Sequence, residues 1–288
     1  MISYNPKDWW KLIFAFHRSD TFRFLLPGIA GVVAYTALVA YIENDVLHAS
    51  FKNTTVVILL VGFVLSMLLV FRTNTAYDRW WEGRRLWGSM VNNCRNLSLK
   101  IDAFLPIDQV EPRAIFKALI VNYIYAAKEH LRMGVPLLNL TQIGKYDADF
   151  YGQKKHVPNQ IMGAIYQEMD ALYRKDVITG DQLIVLNEEL RSFSDNLGGC
   201  ERIKRTPIPY AYSLFLKKVI FLYVFTMPIG FVIEFKYWAV PIVAIVFYVF
   251  ASIEVIAEEI EDPFGTDAND LPTDTIYSTI KDNIEEIL

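Results

Sequence analysis

Acidic residues are concentrated near the end of the sequence, where they could bind a metal ion. Seven carboxylates fall within seventeen residues, in the segment EEIEDPFGTDANDLPTD that begins at residue 258. Carboxylate oxygens are ligands that Ca²⁺ prefers. The spacing is not that of an EF-hand, and Pro263, Gly265 and Pro272 indicate turns. The pattern favours a solvated acidic surface that continues a helix, and a metal site is the alternative.

Other side chains that catalyse reactions or bind metals are scattered through the 288 residues. No local spacing among the histidines or cysteines matches a zinc site or a disulfide framework; these residues are His17, His48, His130, His156, Cys94 and Cys200. Glycine-rich phosphate loops and the HExxH and GxSxG motifs do not occur. We therefore predict no enzymatic activity and no cofactor. The net charge of −4, with dispersed basic residues, argues against a nucleic-acid partner.

Apolar residues make up 53% of the sequence, above the roughly 45–50% of soluble domains. The excess lies in four stretches, 24–42, 53–71, 214–233 and 237–253. About 20 such residues span a bilayer as a helix, so we predict four transmembrane helices. Lys217 and Lys218 interrupt the third stretch, and a buried helix of a soluble protein is the alternative there.

Basic residues predict the orientation of these helices. They cluster before the first stretch and after the second, whereas only Lys52 lies between the two; the clusters are Lys7, Lys11, Arg18, Arg23 and Arg72, Arg79, Arg84, Arg85, Arg95. Basic flanks remain in the cytoplasm, which predicts that both termini are cytoplasmic. The expected organisation is an N-terminal segment with two membrane helices (1–71), a cytoplasmic helical bundle (72–205), two further membrane helices (206–257) and an acidic cytoplasmic segment (258–288).

The second apolar stretch carries a pattern that could form a pore. Phe63, Met67 and Phe71 fall at i, i+4 and i+8, which places three bulky side chains along one ridge of a helix. Gly62 and Ser66 lie on an adjacent face, where small residues permit close helix packing. In a symmetric oligomer this ridge could line a narrow apolar constriction that gates by dewetting. The alternative from the pattern alone is a ridge that faces lipid or a neighbouring helix.

Three segments resemble the bestrophin family, in particular its bacterial branch. They are FRTNTAYDRWWEGRRLWG (71–88), GGCERIKRTPIPYAY (198–212) and EEIEDPFGTDANDLP (258–272), in the family's order. The resemblance implies an all-α homopentameric ion channel of a bacterial inner membrane, with one pore on the five-fold axis. It places the pore neck at Phe63, Met67 and Phe71, and a second, cytoplasmic aperture at Ile208.

The partners that the resemblance implies are further copies of the chain, the lipid bilayer and permeant monovalent ions. Bacterial members suggest Na⁺ or K⁺ as the favoured ion, and a chloride channel of the same family is the alternative. A membrane-anchored scaffold and a secondary transporter are further alternatives from other classes of protein. The mechanism we expect is passive conduction down a gradient.

The sequence departs from the family's pattern where animal bestrophins bind Ca²⁺. The positions after Gly265 read Thr, Asp, Ala, Asn and Asp, so that at least three carboxylates of that acidic run are missing. Only Asp267 and Asp270 are left as weak metal candidates. Because Ca²⁺ needs several oxygen ligands, we predict no Ca²⁺ gating.

Overall fold

The structure, a computed structural model, describes residues 20–48 and 55–288. Three parts of the predictions above lie outside these ranges: the first nineteen residues of the N-terminal segment, Lys52, and residues 53–54 of the predicted second helix. Nine α-helices form in the described ranges: α1 (Asp20–Tyr41), α2 (Thr55–Phe104), α3 (Val110–His130), α4 (Ala148–Gly152), α5 (Val157–Arg174), α6 (Gly180–Arg205), α7 (Tyr210–Phe235), α8 (Ala239–Glu261) and α9 (Thr273–Ile287).

Three helical stretches of the described chain are long and apolar enough to cross a membrane. They are Thr21–Val46, Val56–Phe104 and Tyr210–Glu261. The third contains both α7 and α8, which the short 3₁₀ turn Lys236–Trp238 connects. The chain is therefore an all-helical, multi-pass membrane protein.

Helix α2 is much longer than the apolar stretch that predicts it. It continues past Phe71 to Phe104 and contains 50 residues. The segment after Phe71 has no proline, and Gly83 and Gly88 are the only glycines in it. Isolated glycines cost a helix only about 1 kcal/mol each. Nothing in this polar segment therefore ends α2.

The chain divides into two compact units. The membrane unit comprises the described residues of Ile2–Arg79 together with Pro207–Glu261. In it α1 packs against α8, and α8 packs against α7. Its core contains Leu65 and Leu69 of α2 and Leu216 and Ile220 of α7. Many of its large apolar side chains face outwards, as expected for helices surrounded by lipid or by other membrane helices.

The helical unit comprises Trp80–Thr206 and Asp262–Leu288. Its core buries large side chains from several helices, including Trp87, Phe116 and Phe193. Local signals fix where its helices begin: Thr179 and Gln182 form a capping box at the start of α6, and the His156 ring accepts a backbone hydrogen bond at the start of α5. These caps mark the starts of α5 and α6 by satisfying backbone N–H groups in their first turns.

Candidate functional site

Three large apolar side chains form a row on one face of α2, which we call the neck row. Phe63, Met67 and Phe71 are four residues apart, so each is rotated by only about 40° from the one before it and lies about 6 Å farther along the axis. Their exposed fractions are 66%, 48% and 56%. The helix thus presents all three outwards, where another surface must cover them.

The opposite face of α2 is buried within the chain. Leu65 and Leu69 belong to the core of the membrane unit, and they lie roughly opposite the neck row on the helix. Gly62 is buried beneath the Tyr223 ring of α7, and a Cβ atom at Gly62 would lie 2.5 Å from the Tyr223 hydroxyl. At Gly62 the small-residue face of α2 therefore packs against α7 of the same chain, whereas Ser66 on that face is exposed.

A buried arginine follows the neck row directly. The side chain of Arg72 is 1% exposed, and its Nη2 lies 2.7 Å from Oε2 of Glu261. Its Nε lies 3.5 Å from Oε2 of Glu254, so both acidic partners come from α8. Arg79 also donates from Nε to the backbone carbonyl of Glu261, at 3.1 Å. These bonds connect the end of α8 to α2 just beyond Phe71.

The same Glu261 carboxylate holds the segment before α7. The backbone N–H of Ile208 donates to Oε1 of Glu261 at 2.7 Å, while Oε2 faces Arg72. The Ile208 side chain is only 9% exposed within the chain, in contrast to the neck row. Its assignment to an aperture stays a prediction. The Glu261 carboxylate nevertheless contacts both Ile208 and Arg72, the residue that follows Phe71.

The exposed face of α2 extends past the neck row to polar residues that the sequence analysis did not single out. Asn74 and Asp78 lie three and seven positions after Phe71, and both are exposed. Viewed down the helix axis, they lie in the same arc of about 80° as the neck row. The signal was present in the sequence as a continuation of the three-to-four spacing.

A family model described as Bacterial/Fungal Bestrophin protein matches residues 1–286 of this chain. The chain belongs to the bestrophin family. The resemblance seen in the three sequence segments is confirmed.

Relatives of this bestrophin carry names that state a function. A Nostoc protein, alr2987, is 41% identical over 78% of this chain and 75% of its own length. The Escherichia coli K12 protein YneE is 31% identical over 98% of this chain and 92% of its own length. Both are named voltage-dependent anion channel-forming proteins. The family is a channel family, which agrees with the prediction that the chain is not an enzyme.

Solved structures agree with the fold. A crystal structure of a bacterial bestrophin homologue from Klebsiella pneumoniae is 26% identical to this chain, with a TM-score of 0.85. The match covers 91% of this chain and 98% of that one. The all-helical architecture is therefore that of solved bestrophin structures.

In the acidic loop between α8 and α9 of this bestrophin, a candidate metal ligand already accepts a hydrogen bond from the loop itself. Oδ2 of the buried Asp270 accepts a hydrogen bond from the Asp267 backbone N–H at 2.7 Å. Burial raises the pKa of Asp270 to about 6. A Cβ atom at Gly265 would lie 2.7 Å from the same oxygen, so the loop closes tightly around this carboxylate. In residues 20–48 and 55–288, neither Asp267 nor Asp270 belongs to a group of three or more potential metal ligands.

Three residues of the helical unit that are distant in sequence converge on one carboxylate oxygen. Nε2 of His130 and Nε2 of His156 each lie 2.7 Å from Oε1 of Glu201. Burial lowers the pKa of His130, and the neighbouring Glu201 opposes this effect only in part. Burial disfavours the charge on Glu201, but its bonds to both rings outweigh this and hold its pKa below the usual range. Sequence reasoning missed this cluster because its members lie 45 and 71 positions from Glu201 along the chain.

Proposed function

We propose that this bestrophin is a homopentameric channel that conducts monovalent ions passively through a pore on the five-fold axis. The neck row is the observation that carries the proposal. Phe63, Met67 and Phe71 stand outwards on one face of α2, while the opposite face is fixed to α7 and α8 of the same chain. Five copies that turn this face towards an axis would enclose a narrow apolar neck.

The neck would control conduction through hydration. Ions would enter an outer vestibule, lose part of their hydration beside Phe63, Met67 and Phe71, and cross a cytoplasmic cavity before leaving past Ile208. An apolar constriction that is narrow enough loses its water and blocks ions, so the neck sets the barrier. The Arg72 bridge to α8 would keep the neck helix in place, because a buried charge separated from its partners is strongly unfavourable.

We further propose four membrane crossings in the bacterial inner membrane. Helices α7 and α8 would cross separately, with the turn at Lys236–Trp238 on the outer side. Both termini and the helical unit would then be cytoplasmic, as the basic flanks predict.

The proposed permeant ions are anions. The support for this choice is that relatives between 30% and 41% identical are named anion channel-forming proteins. The sequence-based preference for Na⁺ or K⁺ receives no such support, and the names favour its alternative. The side chains of the neck row are uncharged, so they do not choose between the two signs by charge.

A cation channel is the second candidate function, and one observation favours it. Asp78 is the first acidic residue after the neck row in the same arc of α2, and it is exposed. In a pentamer it would form a ring of five carboxylates about 10 Å beyond Phe71 along the helix. Rings of acidic residues favour cations in channels.

The test is the reversal potential of purified pentamers in a planar bilayer with a several-fold NaCl gradient. We expect reversal near the Cl⁻ equilibrium potential; reversal near the Na⁺ potential would replace anions by cations. No current from pentamers confirmed by mass would reject the channel and favour a scaffold, whereas flux that saturates and is coupled to a counter-ion would indicate a transporter. If the unaltered protein reverses away from the Cl⁻ potential, Asp78→Asn tests the acidic ring in the same assay: a shift of the variant towards the Cl⁻ potential indicates that the ring faces the pore.

Calcium provides a further arm of this experiment. The loop after Gly265 retains only two of the acidic residues that animal bestrophins use, and Asp270 is buried in a hydrogen bond to Asp267. We propose that the current is the same in Ca²⁺ and in chelator. A current that appears only with Ca²⁺ would overturn this part of the proposal.

A further inference from the structure

The cluster of His130, His156 and Glu201 combines residues from three separate elements of the helical unit. His130 ends α3, His156 precedes α5, and Glu201 lies within α6. The two imidazole rings are tilted by 45° with their centroids 4.4 Å apart. One ligand atom from each residue lies within 4.8 Å of the other two. Three potential ligands thus point to one small volume.

The backbone around the cluster is well fixed. The His130 turn is bounded by Lys128 and Arg132, which both bind the Asp274 carboxylate of α9. The His156 ring accepts from the Asn159 backbone N–H at 3.1 Å and so caps α5. Two of the ligands therefore lie in helices, and the third is the residue that caps α5.

We propose that His130, His156 and Glu201 form a binding site for a divalent transition-metal ion of the zinc class. Imidazole nitrogen and carboxylate oxygen are ligands that Zn²⁺ accepts at about 2.0–2.2 Å, and three protein ligands leave a fourth position for water. Two imidazoles argue against Ca²⁺ and Mg²⁺, which prefer oxygen ligands throughout. The proposal does not depend on ion conduction, because the cluster lies entirely in the helical unit.

Solvent can reach the site. The side chains of His130, His156 and Glu201 are 20%, 29% and 20% exposed. An ion and its bound water can therefore enter without local unfolding, while each ligand remains largely surrounded by protein. Burial disfavours the charged form of His130, Glu201 favours it, and His156 and Arg205 disfavour it, so that the pKa of His130 stays below its usual value.

Metal binding requires a defined rearrangement of the ligands. Tetrahedral geometry at about 2.1 Å separates ligand atoms by about 3.4 Å, whereas Oε1 of Glu201 now lies 2.7 Å from both Nε2 atoms. The carboxylate oxygen must therefore move about 0.7 Å farther from each Nε2 atom, and neither Nε2 can keep its proton.

Metal binding would also break the hydrogen bond by which the His156 ring caps α5. In the metal-free state Nδ1 accepts from Asn159, which places the ring proton on Nε2. When Nε2 binds the metal, the proton of the neutral ring moves to Nδ1, and the Asn159 N–H loses its acceptor. We therefore expect zinc to accelerate hydrogen exchange at the first turn of α5 while it protects the ends of α3 and α6 near the ligands.

The experiment is calorimetric titration of Zn²⁺ into the full-length, chelator-treated protein in detergent. We expect saturable binding at one ion per chain. His156→Asn removes a ligand but keeps a side chain suited to capping α5, and Glu201→Gln keeps the size of the ligand without its charge. Each should weaken binding at least tenfold. His48→Asn, in the exposed segment after α1, is the matched control and should bind like the unaltered protein.

Cobalt provides an independent readout. Co²⁺ in place of Zn²⁺ should give the visible absorption of a tetrahedral nitrogen and oxygen site in the unaltered protein, and lose it in His156→Asn. Zn²⁺ should also raise the melting temperature of the unaltered protein but not of the two ligand variants. Absence of saturable binding, or equal binding by all four proteins, would overturn the proposal and leave a cluster held by hydrogen bonds alone.

Discussion

The membrane unit and the helical unit distribute their apolar and charged side chains in opposite ways. The membrane unit exposes large apolar residues such as Phe63 and Phe221 and buries Arg72 with Glu254. The helical unit buries Trp87 and Phe193 and places ion pairs such as Arg174 with Asp170 at its surface. The difference follows from the surroundings, because lipid accepts apolar side chains and water accepts charges.

An exposed phenylalanine has a different meaning in each of the two units. In a protein surrounded by water, a continuous apolar surface marks a site of interaction. In the membrane unit most of the apolar surface suits lipid. The neck row differs from the rest because Asn74 and Asp78 extend the same arc of α2 with polar side chains. A face that is apolar at one level and polar at the next fits the wall of a pore better than a surface in contact with lipid.

The largest effect is expected from the buried charge of the membrane unit. Arg72→Met leaves Glu254 and Glu261 without their partner, which costs about 3–5 kcal/mol for a buried pair. We expect a strongly lowered melting temperature in detergent and a loss of assembled oligomer.

The matched control for Arg72 is Lys217→Met in the same unit. Lys217 pairs with Glu258 at 2.9 Å, but both side chains are about half exposed. Exposed pairs contribute about 0–1 kcal/mol, so this variant should melt within a few degrees of the unaltered protein. Equal melting of Arg72→Met and Lys217→Met would contradict the assignment of Arg72 as a buried charge that needs its partners.

One substitution made in both units tests their difference directly. Phe193→Ala opens a cavity in the helical core beside Tyr123, whose ring stacks on it at 5.3 Å, and should cost about 3–5 kcal/mol. Phe63→Ala removes an outward-facing ring and should leave the fold intact. Thermal melting in detergent measures both, and a Phe63→Ala protein as unstable as Phe193→Ala would show that the two environments are alike.

Within the membrane unit, Met67→Ala tests whether the neck row lines a pore or faces lipid. Removal of this side chain should widen and hydrate the neck, so single-channel conductance should rise. Leu222→Ala on α7 is the control, since Leu222 is also exposed and does not belong to the neck row. Unchanged conductance in correctly assembled Met67→Ala pentamers would remove Met67 from the neck.

In the helical unit, the buried Asp270 predicts a dependence of stability on pH. Its pKa in the folded chain is raised by burial from 3.8 to about 6, so ionisation opposes folding. The stability that the protonated form provides is complete below about pH 4 and is lost as pH rises through about 6. Asp270→Asn cannot ionise, so the unaltered protein should lose melting temperature relative to this variant between pH 4.5 and 7.5.

The control for Asp270 is Asp282→Asn on the exposed face of α9. This variant should follow the unaltered protein across the same pH range. If Asp270→Asn also does so, the carboxyl group of Asp270 ionises as freely as an exposed one, and the loop does not bury it in solution.

The smallest effect is expected at Ile208. Its side chain is largely buried in the chain, so Ile208→Ala should alter conductance or ion selectivity less than Met67→Ala does. Reversal potentials and single-channel currents measure this. No change in either quantity would remove Ile208 from the proposed pathway.

The sequence alone determined the class of the protein and much of the candidate pore. Four apolar stretches predicted membrane helices, and the spacing of Phe63, Met67 and Phe71 placed them on one face, because a helix repeats every 3.6 residues regardless of what surrounds it. Three ordered motifs indicated the family that the comparisons confirm. All of these signals lie within single segments, which is why they are visible without a structure.

Only the tertiary structure decided which segments meet. It extended α2 to Phe104, covered Gly62 with Tyr223, and joined Arg72 and Ile208 to one carboxylate of Glu261. It also brought His130 and His156 to Glu201. No spacing of residues along the sequence predicts these contacts, because they depend on the angles and distances at which separate helices pack. The local period of a helix fixes its faces, and packing fixes what each face contacts.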